Sequence, residues 1–214
     1  MSLKLTQKTS NKMEQKTFKE KCFVSDIDNL NVVYRRDFLT PQKADKYYEI
    51  LENLMKDDDN KKQRKSLVFG DRGCKVYTGT MCWDDSDDIV CQIIRVMRHH
   101  VEKFTRMKFN FVVINRYPDG SIGISKHRDK EETLGDCPTI AGVSLGSMRN
   151  INFESSYFIP QEMPNKIQLA LDHGSIYVMY HPTNKRWSHE IPKMPKVYKS
   201  RISLTFRYLY DINN

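Results

Sequence analysis

The chain has 214 residues, 39% hydrophobic and 29% charged, which is room for one ordinary domain with a full core and excludes both a large multidomain assembly and a disordered chain. Thirty-five Lys plus Arg against 27 Asp plus Glu leave a net charge of +8, which favours a polyanionic partner, either nucleic acid or an anionic membrane surface. Five cysteines with no C-x-x-C pair suggest neither a disulfide framework nor a structural zinc site, and fit a reducing intracellular compartment, nucleus and cytoplasm not being distinguished. No apolar run reaches the roughly 18–20 residues that span a bilayer, and the N-terminus lacks the apolar core of a signal peptide.

Residues 1–22 carry six lysines, Lys4, Lys8, Lys12, Lys16, Lys19 and Lys21, against Glu14 and Glu20, with almost no periodic apolar residue; a mobile basic tail is expected there. Thr40-Pro41 signals a helix, an N-cap followed by proline at the first helical position, with Ala44, Tyr47, Leu51 and Leu54 at helical spacing. The charged run from Lys56 to Lys65 ends it. A second helix follows Ser86, where Asp87 and Asp88 suit the positive end of the dipole and Ile89, Ile93, Met97, Val101 and Phe104 mark a buried face. From Phe109 the pattern becomes short β runs at 109–117, 125–129, 139–146, 149–155, 168–172, 175–180, 187–192 and 201–210. Eight strands after two helices predict an α+β fold: a jelly-roll core, that is, a double-stranded β-helix, with the N-terminal helices packed on one sheet.

His127-Arg128-Asp129 lies in an alternating run, so His127 and Asp129 share a face and could bind one ion together. Alone, H-x-D is a weak signal, and an exposed His and Asp beside a turn is the ordinary alternative. A third ligand could come from His173, His181 or His189, of which only His189 sits in a strand-like run; His173 precedes Gly174 and His181 precedes Pro182, as turn residues do. Two histidines and one carboxylate form the facial triad of non-haem Fe(II) oxygenases. Alanine at any of the three is expected to abolish turnover and to leave the fold largely intact.

In the closing run Arg201, Ser203, Thr205 and Arg207 alternate with Ile202, Leu204 and Phe206. If the polar face points inward, the two guanidinium groups need an anionic partner, and a small dianion would serve both. If it points outward, the arginines face solvent while Ile202, Leu204 and Phe206 fill the core. Alternation leaves both open.

The segments Phe109-Asn110-Phe111-Val112-Val113-Ile114-Asn115-Arg116-Tyr117-Pro118-Asp119-Gly120, His127-Arg128-Asp129, His181-Pro182-Thr183-Asn184 with Trp187 and His189, and Arg201 to Arg207 together resemble the AlkB family, 2-oxoglutarate- and Fe(II)-dependent nucleic-acid dealkylases, and within it the eukaryotic DNA-repair branch. The resemblance runs from about Ser66 to Tyr210. It implies a metal site at His127, Asp129 and His189, with Fe(II) as the ion and 2-oxoglutarate and O₂ as cosubstrates. Asn115, Tyr117, Ser203, Arg201 and Arg207 are implied to hold 2-oxoglutarate, Arg201 at the distal carboxylate and Arg207 near the end chelated to iron. Ser203 stands where repair enzymes of this kind usually have Asn, so one cosubstrate contact is expected to be lost or bridged by water. The implied substrate contacts are Tyr77, stacking on the flipped base, Glu131, touching it, and Arg64 on a basic rim with Lys65, Lys185, Arg186, Lys193, Lys196 and Lys199.

By this resemblance, 23–108 is a helical and β-hairpin nucleotide-recognition region and 109–214 the catalytic core of one structural domain. The expected activity is oxidative dealkylation of 1-methyladenine- and 3-methylcytosine-type bases in DNA, releasing succinate, CO₂ and formaldehyde, by an expected monomer. The run Lys56 to Lys65 offers no Phe, Leu, Ile or Met to wedge between base pairs, so single-stranded nucleic acid is the expected preference. An RNA- or tRNA-directed member of the family and a binding module that no longer turns over are the alternatives.

Overall fold

The computed structural model describes residues 22–25, 27–56, 63–72, 79–84, 87–129, 132–155 and 165–210. The 1–22 stretch up to Lys21, residues 57–62 and 156–164, and Tyr77 and Glu131 lie outside them.

In chain order the elements are β1 (Cys22–Val24), β2 (Val32–Arg35), α1 (Pro41–Met55), β3 (Lys65–Gly70), β4 (Met81–Cys82), α2 (Ile89–Thr105), β5 (Phe111–Tyr117), β6 (Ile124–His127), a 3₁₀ turn at Glu132–Leu134, β7 (Ile140–Gly146), β8 (Arg149–Ser155), β9 (Lys166–Leu171), β10 (Ile176–Met179), α3 (Thr183–Arg186), β11 (Trp187–Ile191) and β12 (Arg201–Arg207). The eight expected strands are present as β5 to β12 with ends shifted by up to three residues. Four short strands, β1 to β4, were not expected individually, and β3 starts at Lys65, the last residue of the charged run that follows α1.

Two sheets result. One has eight strands in the order β1-β2-β10-β7-β12-β5-β3-β4; the other has four, β6-β11-β8-β9. The large sheet is covered on its outer face by α1 and α2, where Leu51, Met55, Ile94, Met97 and Val101 meet Val112, Ile114, Val143, Val178, Ile202, Leu204 and Phe206. Its inner face meets the small sheet through Tyr117, Ile140, Tyr177 and Met179 on one side and Ile151, Phe153, Leu169, Trp187 and Ile191 on the other. This is the jelly-roll core with helices on one sheet, and its interior is where strand alternation aims every second residue of β5, β7, β10 and β12.

Thr40 caps α1 as the sequence suggests, its Oγ1 accepting from Lys43 N, while α2 starts at Ile89, later than expected, with Asp88 as its cap, Oδ1 accepting from Val90 N. Two residues assigned to buried faces are not buried. Leu54 is 49% exposed and Met55 takes its place under the sheet, while Ile89 is 48% exposed and Val90 and Cys91 turn inward. Both fall at the margin of the stripe, where one residue moves a side chain by 100° of helix rotation.

Two polar devices fix the helices to the sheet. Arg116 on β5 donates to both carboxylate oxygens of Glu52 on α1, at 3.0 and 2.6 Å. Glu102, near the end of α2, accepts from Phe109 N, Arg98 and Lys108. Burial alone would push the Glu102 carboxyl up, but the Phe109 amide and the two cations outweigh it and hold it below its ordinary value. A depressed folded pKa contributes stability above the unfolded value and loses it as pH falls through the folded one. Glu102→Gln is therefore expected to cost about 1–2 kcal/mol at neutral pH and less in acid, so thermal melts of parent and variant converge as pH drops. Parallel melting curves at all pH values would contradict this.

A glycine is needed at one interior position. Gly142 on β7 lies opposite Tyr177 on β10, and a Cβ there would sit 2.2 Å from Tyr177 Cε1, so the ring crosses the sheet only because that side chain is absent.

Candidate active site

Antiparallel pairing of β12 with β5 and β7 brings the expected cosubstrate residues together. Arg201 stands opposite Tyr117 and Gly146, Ser203 opposite Asn115 and Ser144, and Arg207 opposite Phe111. The strand is buried on both faces: Ile202, Leu204 and Phe206 under the helices, and Arg201, Ser203, Thr205 and Arg207 toward the small sheet. The inward alternative for the arginines thus holds, and the outward one fails.

Arg201 is 2% exposed. Its Nη2 donates to Ser144 Oγ at 2.9 Å, and its guanidinium carbon lies 5.3 Å from the Tyr117 ring centroid. Nε and Nη1 are buried and have no acceptor among the described residues. Burial lowers the pKa of this guanidinium, with Tyr117 and Tyr177 offsetting part of the effect. A buried cation on the inward face of β12, with two donors unmet among the described residues, fits one end of a small dicarboxylate.

On the facing sheet β11 pairs with β6 so that His189 lies directly opposite His127, their ring centroids 4.4 Å apart. Asp129 follows two residues after His127, and its Oδ1 lies 3.5 Å from His127 Nε2 and 4.0 Å from His189 Nε2. One ligand atom from each of the three residues falls within 4.8 Å of the others. His127 Nδ1 is 2.9 Å from the Ser125 carbonyl, which can only accept, so Nδ1 carries a proton and Nε2 is the nitrogen turned to the cluster. Burial pushes His189 down to about 4, leaving its imidazole neutral near pH 7. Hydrogen bonding to Asp129 pushes His127 up. Two imidazole nitrogens and a carboxylate oxygen converge on one point, a donor set suited to a divalent cation, and its type matches Fe(II).

Arg207 divides the Asp129 carboxylate between two tasks. Nε and Nη2 donate to Oδ2 at 2.9 and 2.7 Å, which leaves Oδ1 turned to the histidines. Burial would raise the Asp129 carboxyl, yet Arg207 and the histidines hold it well below the usual carboxylate range, so it stays ionised.

Two positioning residues were not singled out from sequence. Asn184 on α3 accepts from Asp129 N and donates to Asp129 O, fixing the backbone of the ligand loop. Arg149, at the start of β8 and 0% exposed, donates to the carbonyls of Asp119, Ile122 and Pro192, and so ties the turn after Tyr117 to the end of β11. Asn184 stood in a quoted motif without a role; nothing in the sequence around Arg149 marks it. His173 is engaged elsewhere, between Gly146 N and Asp45, and His181 is exposed, so neither competes with His189. Arg64 lies exposed just before β3, whose Ser66 donates to Asn115 Oδ1.

The model of the 2OG-Fe(II) oxygenase superfamily matches residues 6–207. The chain belongs to this superfamily. Among curated relatives it is 37% identical over 147 residues to DNA oxidative demethylase ALKBH2 of Homo sapiens, covering 67% of this chain and 56% of that protein. It is 32% identical over 124 residues to alpha-ketoglutarate-dependent dioxygenase alkB homolog 3 of Homo sapiens, covering 55% of this chain and 43% of the other. DNA oxidative demethylase ALKBH2 of Arabidopsis thaliana is 33% identical over 157 residues, 62% of this chain and 48% of that one. The chain thus spans about half the length of these relatives, and they are of the AlkB-like repair branch that its motifs resemble. As in other 2OG-Fe(II) oxygenases, Fe(II), 2-oxoglutarate and O₂ are the implied cofactor and cosubstrates, and the His-Asp-His set and Arg201 have the chemistry to hold the first two.

Proposed function

We propose that the chain is an oxidative dealkylase of N-alkylated nucleobases in DNA, of the 1-methyladenine and 3-methylcytosine kind. The observation that carries the reading is the meeting, inside one barrel, of the His127-Asp129-His189 donor set with a buried Arg201 whose remaining donors face the same interior. Relatives of 32–37% identity named as DNA oxidative demethylase or alkB homolog supply the substrate class. Fe(II) with 2-oxoglutarate and O₂ would supply the oxidising power that hydroxylates an N-methyl group, giving succinate, CO₂ and formaldehyde.

The chain's own residues then do the rest. His127, Asp129 and His189 would hold the ion, two imidazoles and one carboxylate being the donor set of Fe(II) oxygenases. Arg201, backed by Ser144 and Tyr117, anchors the distal carboxylate of 2-oxoglutarate, with Ser203 on the same strand and Asn115 and Tyr117 on the adjacent β5. Arg207 keeps Asp129 ionised and turned. Exposed Arg128, Lys185 and Arg186 beside Asp129 offer cations to backbone phosphates, with Arg64, Lys193, Lys196 and Lys199 also exposed. Tyr77 and Glu131 are proposed substrate contacts on the resemblance alone. A monomer working in a reducing cellular compartment is part of the same reading.

A preference for unpaired substrate is expected, because the run from Lys56 to Lys65 has no apolar wedge to offset the few kcal/mol of unstacking. Formaldehyde release from one methylated strand, alone and annealed to its complement, at low and high salt, tests this. The single strand should react faster, and binding should weaken steeply with salt. Equal or faster reaction of duplex would overturn the preference, and no release from any methylated strand, DNA or RNA, would overturn the dealkylase reading itself.

A further inference from the structure

The segment after β12 carries a surface feature that the proposed catalytic residues do not use. Leu209 is buried with Phe111 and Leu134, and the two residues that flank it turn outward: Tyr208 is 40% and Tyr210 59% exposed. Their rings meet edge to face at 5.0 Å. The backbone between them is pinned, since Leu209 N and O pair with the Asn110 side chain and Tyr210 N donates to Thr133 O, all at 2.7 Å. Tyr210 packs on Gly135, where a Cβ would come 2.7 Å from Cε2 and 2.9 Å from Cδ2, so one edge of the ring is held against the glycine turn.

That turn is also part of the catalytic surroundings. Leu134, Gly135 and Pro138 line a cleft of about 420 Å³ together with Arg128, Asp129, Asn184, Lys185 and Arg186. One wall of the cleft is therefore a metal-binding candidate, one is cationic, and one is the turn on which the tyrosine pair rests. Lys185 pairs with Asp136 at 3.3 Å, but Asp136 is fully exposed, and such a surface pair yields readily to a phosphate. Arg128 donates to the Lys185 carbonyl, which gathers both cations at one rim.

We propose that Tyr208 and Tyr210 form a stacking platform for an unpaired base next to the nucleotide held at the catalytic centre, with Arg128 and Lys185 receiving the intervening phosphate. The inference rests on the nucleic-acid reading above. Its argument is chemical complementarity: two pinned, exposed aromatic rings bordering a cationic cleft match the alternation of base and phosphate along a single strand, and every base has a face to stack. A paired base in a duplex has both faces occupied by its neighbours, so the platform favours single strands, in line with the missing wedge.

The test uses a single-stranded oligonucleotide containing 1-methyladenine, with the fluorescent base 2-aminopurine placed in turn at each position flanking it, and protein loaded with Mn(II) and 2-oxoglutarate to prevent turnover. The parent should quench 2-aminopurine at a position on one side of the target. The double variant Tyr208→Ala/Tyr210→Ala should lose that quenching and bind about tenfold more weakly, and Tyr208→Phe/Tyr210→Phe should retain both, because the ring face and not the hydroxyl is used. If the double alanine variant fails to fold for want of the Tyr210 ring on Gly135, Tyr208→Ala alone carries the same readout. Unchanged quenching and affinity in the alanine variants, or their equal loss in the phenylalanine variant, overturns the platform. A parent that binds no oligonucleotide at all overturns the nucleic-acid reading beneath it.

Discussion

Asp129→Ala is expected to abolish turnover and, unlike His127→Ala, to destabilise the protein even when metal is withheld. Both follow from the division of the carboxylate. Oδ1 completes the donor set with the two histidines, so its loss removes the only anionic ligand. Oδ2 is the partner of Arg207, which is 8% exposed, and removing it leaves a buried guanidinium facing the hole, a change that costs about 3–5 kcal/mol when one side of a buried pair is deleted. His127 is half-buried and its Nδ1 bonds only to a local carbonyl, so His127→Ala should lose metal binding with little loss of fold. The expectation from sequence that all three alanine variants keep the fold is thus corrected at Asp129, because its pairing with Arg207 spans 78 residues and no local pattern encodes it. Thermal melts in the presence of a chelator, and again with Mn(II), separate the two effects. The parent should gain stability from the ion and all three variants should not. Full activity in any variant would remove that residue from the metal site, and equal chelated melting points for His127→Ala and Asp129→Ala would remove the second role of Asp129.

Arg201→Ala should raise the apparent KM for 2-oxoglutarate by about 10²–10⁴-fold while changing oligonucleotide affinity little. The arginine is buried among Ser144, Tyr117 and Tyr177, so a carboxylate paired with it there is desolvated, and breaking such a pair from one side costs about 3–5 kcal/mol. Arg201→Lys should recover only part of this, since a compact ammonium cannot keep the Ser144 hydrogen bond and present the further donors that the fixed plane of the guanidinium holds. Cosubstrate titration at fixed oligonucleotide decides it. An unchanged constant would mean that 2-oxoglutarate binds elsewhere.

The cluster was legible from local cues, an H-x-D step and a third histidine in a run with strand alternation rather than beside Gly174 or Pro182; but β6 ends at His127 and Asp129 lies two residues beyond it, so the loop held by Asn184, and not a shared strand face, turns the carboxylate to the histidines. The polar stripe of β12 was equally visible, but its direction was not, since a strand buried on both faces gives the same alternation either way. What decides it is the covering of the outer face by α1 and α2, a tertiary fact. β1 and β4, of three and two residues, are too short to show a period, and β3 opens on Lys65-Ser66, which reads as the end of a charged loop. Arg149 shows the limit most clearly. A charged residue at the head of a strand ordinarily faces water, and this one is buried because three carbonyls from two separate turns converge on it.

The most direct test of the dealkylase reading is mass spectrometry of a single-stranded oligonucleotide containing one 1-methyladenine, incubated with the protein, Fe(II), ascorbate and 2-oxoglutarate, beside the same reaction with His189→Ala. The parent should convert the strand to the mass of the unmethylated sequence with matching release of formaldehyde and succinate, and the variant should leave it methylated. A strand that stays methylated with the parent while 2-oxoglutarate is consumed, or one that is demethylated equally by His189→Ala, would contradict the assignment of this chemistry to this site.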